Sequence, residues 1–185
     1  MHIMMSIGSP GCSKGTLSTH LQRQCYHAVS TGELLREAAK HDPALAGQLA
    51  SGTLTDDQKI ADLLRAALED QTQVLLDGHP PTLVQVGLLA EAFPDAEIRA
   101  LELRVSDDLA LKRVAQRAEQ TSDSRPEDRP EVAASRLAVF HRPTDRATSA
   151  YRARGTLLSI DASGSAEDVQ NLADTALTGA TLSRH

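Results

Sequence analysis

Ile3-Met4-Met5-Ser6-Ile7-Gly8-Ser9-Pro10-Gly11-Cys12-Ser13-Lys14-Gly15-Thr16 decides the fold. A short apolar run breaks into a turn of Gly, Ser and Pro. It then meets a lysine and an apolar set at helical spacing, Leu17, Leu21 and Cys25. Strand, small-residue loop, lysine and helix is the layout of a phosphate-binding loop. Small residues let the backbone curl with successive N–H groups aimed at an anion, and the following helix adds unpaired N–H groups and the positive end of its dipole. Lys14 in that layout reaches the β- and γ-phosphates, and Thr16 offers a hydroxyl near Mg²⁺. The strict spacing G-x-x-x-x-G-K-[ST] is missed twice, by Ser13 at the second glycine and by Gly15 at the hydroxyl position. On this stretch alone, an ordinary strand-turn-helix corner is the alternative.

Outward from the loop, 185 residues predict one domain large enough to bury most of its apolar surface without staples. Aromatics are only 2%, so the core must be built from Leu, Ala, Val and Ile. A net charge of −6 argues against a nucleic-acid partner, which calls for a basic face. Cys12 and Cys25 make neither a disulfide framework nor a metal site, and the histidines lack metal-ligand spacing. No charged leader precedes a long apolar stretch and no run approaches a membrane span, so a cytoplasmic protein without membrane contact is expected.

Helical and strand patterns alternate along the chain. Helices are expected over 31–41, with Thr31 as N-cap, and over 43–51, then from Asp56 or Asp57 through Ile60, Leu63, Leu64 and Leu68. Val74-Leu75-Leu76 reads as a buried strand that delivers Asp77 at its carboxyl end, and 83–92 as a helix. A third strand is expected at 98–105, a helix at 107–118, an exposed loop at 119–130, a long helix at 131–153, a fourth strand at 157–160 and a closing helix at 166–177. Such alternation implies a parallel α/β sheet covered by helices on both faces, with ligands at the carboxyl ends of the strands, where Gly8–Lys14 and Asp77 fall. Asp77 there either orients Mg²⁺-bound water or serves as a turn or cap residue.

Five stretches, in order, resemble the motifs of the adenylate kinases and other nucleoside monophosphate kinases with a short lid. Gly8-Ser9-Pro10-Gly11-Cys12-Ser13-Lys14-Gly15-Thr16 matches the family's G-x-P-G-x-G-K-G-T except at Ser13. Ser30-Thr31-Gly32-Glu33-Leu34-Leu35-Arg36 keeps the segment that in the family holds the acceptor monophosphate. Leu76-Asp77-Gly78-His79-Pro80-Pro81-Thr82-Leu83-Val84-Gln85 keeps the glutamine that reads the acceptor adenine, but His79 replaces an aromatic and Pro81 a phosphate-binding arginine. Arg125-Pro126-Glu127-Asp128, followed by Arg136, has the spacing of the lid motif, and Arg117 lies where the family has an arginine before the lid. Asp161-Ala162-Ser163-Gly164-Ser165 resembles the loop that passes the donor adenine.

The resemblance implies a P-loop NTPase-type domain over 1–185, with core 1–29, 53–117 and 137–185, a helical acceptor-binding insertion at 30–52 and a short lid at 118–136. It implies transfer of the γ-phosphoryl of Mg-ATP to a nucleoside monophosphate, most simply AMP, by a monomeric enzyme. Lys14, Arg117, Arg125 and Arg136 are then catalytic. Gly8, Pro10, Gly11, Cys12, Ser13, Lys14, Gly15, Thr16, Arg117 and Gly164 bind ATP. Thr31, Gly32, Arg36, Gly78, Gln85, Arg125 and Arg136 bind the acceptor, and Asp77 holds the metal through water. The residue types fit the chemistry, because phosphoryl transfer needs alignment and positive charge on the equatorial oxygens more than covalent help. Arginine forks take phosphate oxygens two at a time, and a mobile segment carrying them excludes water on closing. Ser13 predicts a strained or shifted loop, and Pro81 a weakened acceptor site. A different phosphorylated acceptor, or nucleotide binding without transfer, remain as alternatives.

Overall fold

The computed structural model describes residues 1–51, 56–77, 82–120 and 130–182. β1 (His2–Gly8) lies at the centre of a parallel sheet with β2 (His27–Ser30), β3 (Gln73–Asp77), β4 (Glu97–Arg104) and β5 (Leu157–Asp161). The strand order is β2-β3-β1-β4-β5. Central parallel strands are covered on both faces, which is why Val74, Leu75 and Leu76 are apolar without alternation and all buried.

On one face, Met4, Leu75, Leu101 and Leu103 pack with Leu17 and Leu21 of α1 (Lys14–Gln22) and with Val169 and Ala173 of α8 (Ala166–Leu182). On the other, Ile3, Val74 and Leu76 meet Leu35 of α2 (Thr31–Ala39), Leu45 of α3 (Pro43–Ser51), Ile60, Leu64 and Leu68 of α4 (Asp57–Leu68), and Leu89 of α5 (Leu83–Ala92). Ile7 and Ala100 continue that face against Val86 of α5 and against Ala147 and Tyr151 of α7 (Pro130–Ala153). The buried Tyr151 donates its hydroxyl to Met5 Sδ at 2.8 Å, and burial pushes its pKa up to about 12. The helix after β1 and the helix after β3 therefore leave to opposite faces although the two strands are neighbours. A crevice at their carboxyl ends is the consequence, and it holds Gly8 and Asp77. Among the described residues no helix is long and apolar enough to cross a membrane.

Two expectations are corrected. The sheet has an additional strand, β2, so 98–105 and 157–160 hold its fourth and fifth strands in chain order. His27-Ala28-Val29-Ser30 has one fully buried residue, Val29, and no apolar run by which to be seen. The N-cap of α2 is Ser30, not Thr31. Ser30 keeps extended backbone (φ −97, ψ 117), and its hydroxyl accepts from Glu33 N at 3.4 Å, while Thr31 is the first helical residue. Asp56 caps α4 by accepting from Gln58 N at 3.0 Å.

Candidate active site

The loop after β1 is shaped by two glycines and one strained serine. A Cβ on Gly8 would fall inside the envelope of the buried Cys12 thiol and 3.2 Å from Leu103 O, so Gly8 leaves the space into which Cys12 folds. Gly11 has φ +84, and a Cβ there would lie 2.9 Å from the carbonyl carbon of Ala110. The backbone of α6 (Asp107–Gln120) thus presses directly on the loop. Cys12 N donates to Ser9 O at 3.2 Å to close the turn. Ser13 then adopts φ 75, ψ 24, the left-handed conformation that glycine would take without penalty, and its side chain caps nothing.

Lys14 opens α1 and folds back across this loop. Its ammonium donates to Gly8 O, to Ser9 O at 3.1 Å and to Cys12 Sγ at 3.6 Å. The first turn of α1 carries no acidic residue, so the helix N-terminus and Lys14 add at one spot. Thr16, two residues on, is exposed, and Gly15 faces open space. Replacing Ser13 by glycine removes the left-handed strain of roughly 1–2 kcal/mol and returns part of it as unfolded-chain entropy. The expected outcome is a net gain of about 0.5–1 kcal/mol in thermal or denaturant unfolding; a loss of stability would show that the serine side chain holds the loop.

Asp77, half-buried at the end of β3, accepts from Ser6 Oγ at 3.1 Å, and Ser6 Oγ lies 3.4 Å from Leu76 O. Hydroxyl and carboxylate oxygens beside a phosphate loop are the donors Mg²⁺ takes, with water and substrate phosphate filling its remaining positions.

A cleft beside this crevice is lined by Met5, Ser6, Thr31, Asp57, Asp77 and Gln85, over an apolar floor that includes Ile60, Leu64 and Leu89. Gln85 is held on two sides. Its Nε2 donates to Asp57 Oδ1 at 2.8 Å, and its Oε1 accepts from Thr82 N at 3.3 Å. Gln85 N in turn donates to Thr82 Oγ1 at 3.1 Å, so Thr82 and Gln85 form the capping box of α5. At the mouth of α2, a Cβ on Gly32 would stand 3.4 Å from Arg36 Nη1, so the exposed guanidinium lies over Gly32.

The opposite wall is fixed by Arg113 of α6. Its Nη1 donates to Ala162 O at 2.6 Å, and its Nη2 to Ser163 O at 3.0 Å and Gly164 O at 2.6 Å. The loop is stiffened from within as well. Hydrogen bonds from Ser163 hold the Asp161 carboxyl below its usual range, and bonds from Ser165 do the same for Asp168. Gly164 leaves room for Asp168, whose Oδ2 would lie 2.9 Å from a Cβ. A cleft of about 490 Å³ opens here between Arg104, Val105, Ser106, Asp161 and Ser163. Arg117 lies one turn beyond Arg113 and is exposed.

The loop residues Gly8 to Thr16 are therefore brought beside Asp77, and Thr31 and Gln85 share the neighbouring cleft. Arg136 lies on α7. Gly78, His79, Pro81 and Arg125 lie outside the described residues. Sequence reasoning passed over Arg113 and used Asp57 only as a helix opener. The spacing of four between Arg113 and Arg117, on a helix leading from a strand end, was the available signal for the first. Nothing local marked the second.

A family model described as adenylate kinase matches residues 6–156. Among curated proteins, the adenylate kinase of Thermobifida fusca is 34% identical, covering 92% of this chain and 95% of its own. The adenylate kinase of Parvibaculum lavamentivorans is 30% identical over 94% and 91%, and that of Thermus thermophilus 29% over 88% and 90%.

Proposed function

The chain belongs to the adenylate kinase family, a family of ATP-dependent nucleoside monophosphate kinases, and from that premise we propose that its acceptor is AMP, the reaction being ATP + AMP = 2 ADP. The observation that carries this is the juxtaposition of the Lys14 loop and Asp77 in one crevice with Thr31 and Gln85 in the adjoining cleft. ATP lays its phosphates on the loop from Gly8 through Thr16, with Pro10, Gly11, Cys12, Ser13 and Gly15 supplying backbone. Lys14 leaves the carbonyls of Gly8 and Ser9 for the β- and γ-phosphate oxygens. The donor base rests at the Gly164 loop that Arg113 pins.

AMP enters the cleft with its base at Thr31 and Gln85 and its phosphate at Arg36, and Gly32 and Gly78 complete the acceptor-binding set. A phosphate oxygen of AMP attacks the γ-phosphorus, the bond to the β,γ-bridging oxygen breaks, and ADP leaves from both sides. Arg117, Arg125 and Arg136 spread positive charge over the transferring oxygens. Mg²⁺, when bound through water at Asp77 and beside Thr16, supplies further neutralisation of the phosphates. Residues 30–52 are assigned as the acceptor-side insertion, 118–136 as the lid and the rest as the core, in a monomeric cytoplasmic enzyme.

Ser13 takes up the glycine conformation instead of abolishing it, which supports retained donor binding. Turnover of Mg-ATP against AMP, UMP, CMP, GMP, dAMP and a blank tests the proposal. ADP formed stoichiometrically with AMP supports it. Preference for another acceptor assigns the site to that acceptor, and binding of ATP without turnover marks a nucleotide-binding protein. Pro81→Arg restores a charge-assisted phosphate contact worth roughly 1.5–3 kcal/mol, so kcat/KM for AMP is expected to rise about 10- to 150-fold. No gain there would argue for another acceptor.

A further inference from the structure

Gln85 stands between two partners of fixed polarity. A carboxylate oxygen only accepts and a backbone N–H only donates, so Asp57 Oδ1 at 2.8 Å and Thr82 N at 3.3 Å admit one orientation of the amide. Turning it over would set oxygen against oxygen at Asp57 and N–H against N–H at Thr82. Each half of the amide keeps one unused function in this orientation, an N–H on Nε2 and a lone pair on Oε1. A glutamine held by neither partner rotates by half a turn and reads either order of donor and acceptor.

Adenine and cytosine present an exocyclic amino donor beside a ring-nitrogen acceptor. Hypoxanthine and uracil present the reverse, an oxo acceptor beside a ring N–H. We propose that Asp57 is a positioning residue that makes this kinase select acceptor bases carrying an amino group over their oxo counterparts, by locking the Gln85 amide. The inference rests on the proposal that Gln85 meets the acceptor base. Thr31, in the same cleft, both donates and accepts through its hydroxyl and supplies no such selection. Nor does Thr82 alone suffice, because its 3.3 Å contact is the longer of the two and serves the cap of α5.

The test compares wild type, Asp57→Asn and Gln85→Ala. kcat/KM is measured for the pairs AMP and IMP, and CMP and UMP, and equilibrium binding of AMP and IMP is measured by calorimetry. IMP differs from AMP in carrying oxo for amino at that ring position and, with it, a proton on the neighbouring ring nitrogen. Asparagine keeps the size of Asp57 and donates as readily as it accepts, so it releases the Gln85 amide. Wild type is expected to favour the amino member of each pair. Asp57→Asn is expected to lower the AMP-to-IMP ratio about tenfold or more, with the rate on IMP rising in absolute terms.

Equal losses on AMP and IMP in Asp57→Asn would show a structural role and overturn the inference, as would a wild type indifferent to amino and oxo bases. If Gln85→Ala also leaves the ratio at its wild-type value, the assignment of Gln85 to the base falls too. If no monophosphate turns over, the phosphotransfer proposal fails on its own, and the AMP-to-IMP binding ratios of the three proteins still decide the role of Asp57.

Discussion

Replacing Lys14 by methionine is expected to lower ADP formation by on the order of 10²–10³-fold, the effect of removing one preorganised donor from a developing phosphoryl charge. Methionine keeps the length and apolar stem of the side chain and removes only the ammonium. In the free protein that ammonium donates to Gly8 O, Ser9 O and Cys12 Sγ across the loop, so the change also deletes three internal bonds. Because Lys14 is only half-buried, water takes up the released carbonyls, and the stability loss is expected to be about 1 kcal/mol. Steady-state turnover beside a thermal melt separates the two consequences. Turnover within about threefold of wild type would mean that Lys14 serves the loop and not the phosphates.

Gly11→Ala acts on the same loop by a different route. A Cβ at position 11 meets the backbone of Ala110, at 2.9 Å from its carbonyl carbon and 3.1 Å from its Cα, and α6 cannot withdraw without opening the contacts of Ala110 and Val114, both buried. The residue must also hold φ +84, which costs an L-side chain roughly 1–2 kcal/mol. Adding about 1–3 kcal/mol for overpacking gives a destabilisation of about 3 kcal/mol, and a melting temperature about 6–12 °C lower. Calorimetry checks this. A melting temperature unchanged by the alanine would mean that the loop does not bear on α6. Gly15→Ala is the natural control, since nothing stands within contact of a Cβ there and its backbone is helical.

These expectations show where the sequence was legible. The run from Ile3 to Thr16 could be read directly because its structure is made by near neighbours. Cys12 bonds to Ser9, Lys14 reaches Ser9 and Gly8, and Leu17 bonds to Ser13. Asp77 at a strand end and a helix over 83–92 were legible from local pattern, whereas the Thr82–Gln85 capping box that starts α5 came only with the structure. β2 was not, since four residues with one buried position carry no period. Ser30 and Thr31 offered two adjacent hydroxyls, and only the backbone angles choose which one caps. The strain at Ser13 was foreseen as a departure from glycine, but its form, a left-handed serine, is a property of the folded loop.

By itself, then, the sequence determined the phosphate-loop layout, the parallel α/β class and the family, because each rests on local spacing or on motifs kept in order along the chain. The tertiary structure alone decided which distant groups meet. The strand order β2-β3-β1-β4-β5 sets Ser6 against Asp77, and the packing of α4 on α5 puts Asp57 on Gln85. The crossing from α6 to the end of β5 lets Arg113 fasten the 162–164 carbonyls. Such contacts join residues whose separation along the chain carries no signal. The folded sheet and its helices bring them within hydrogen-bond range, and there polarity fixes what each group can do.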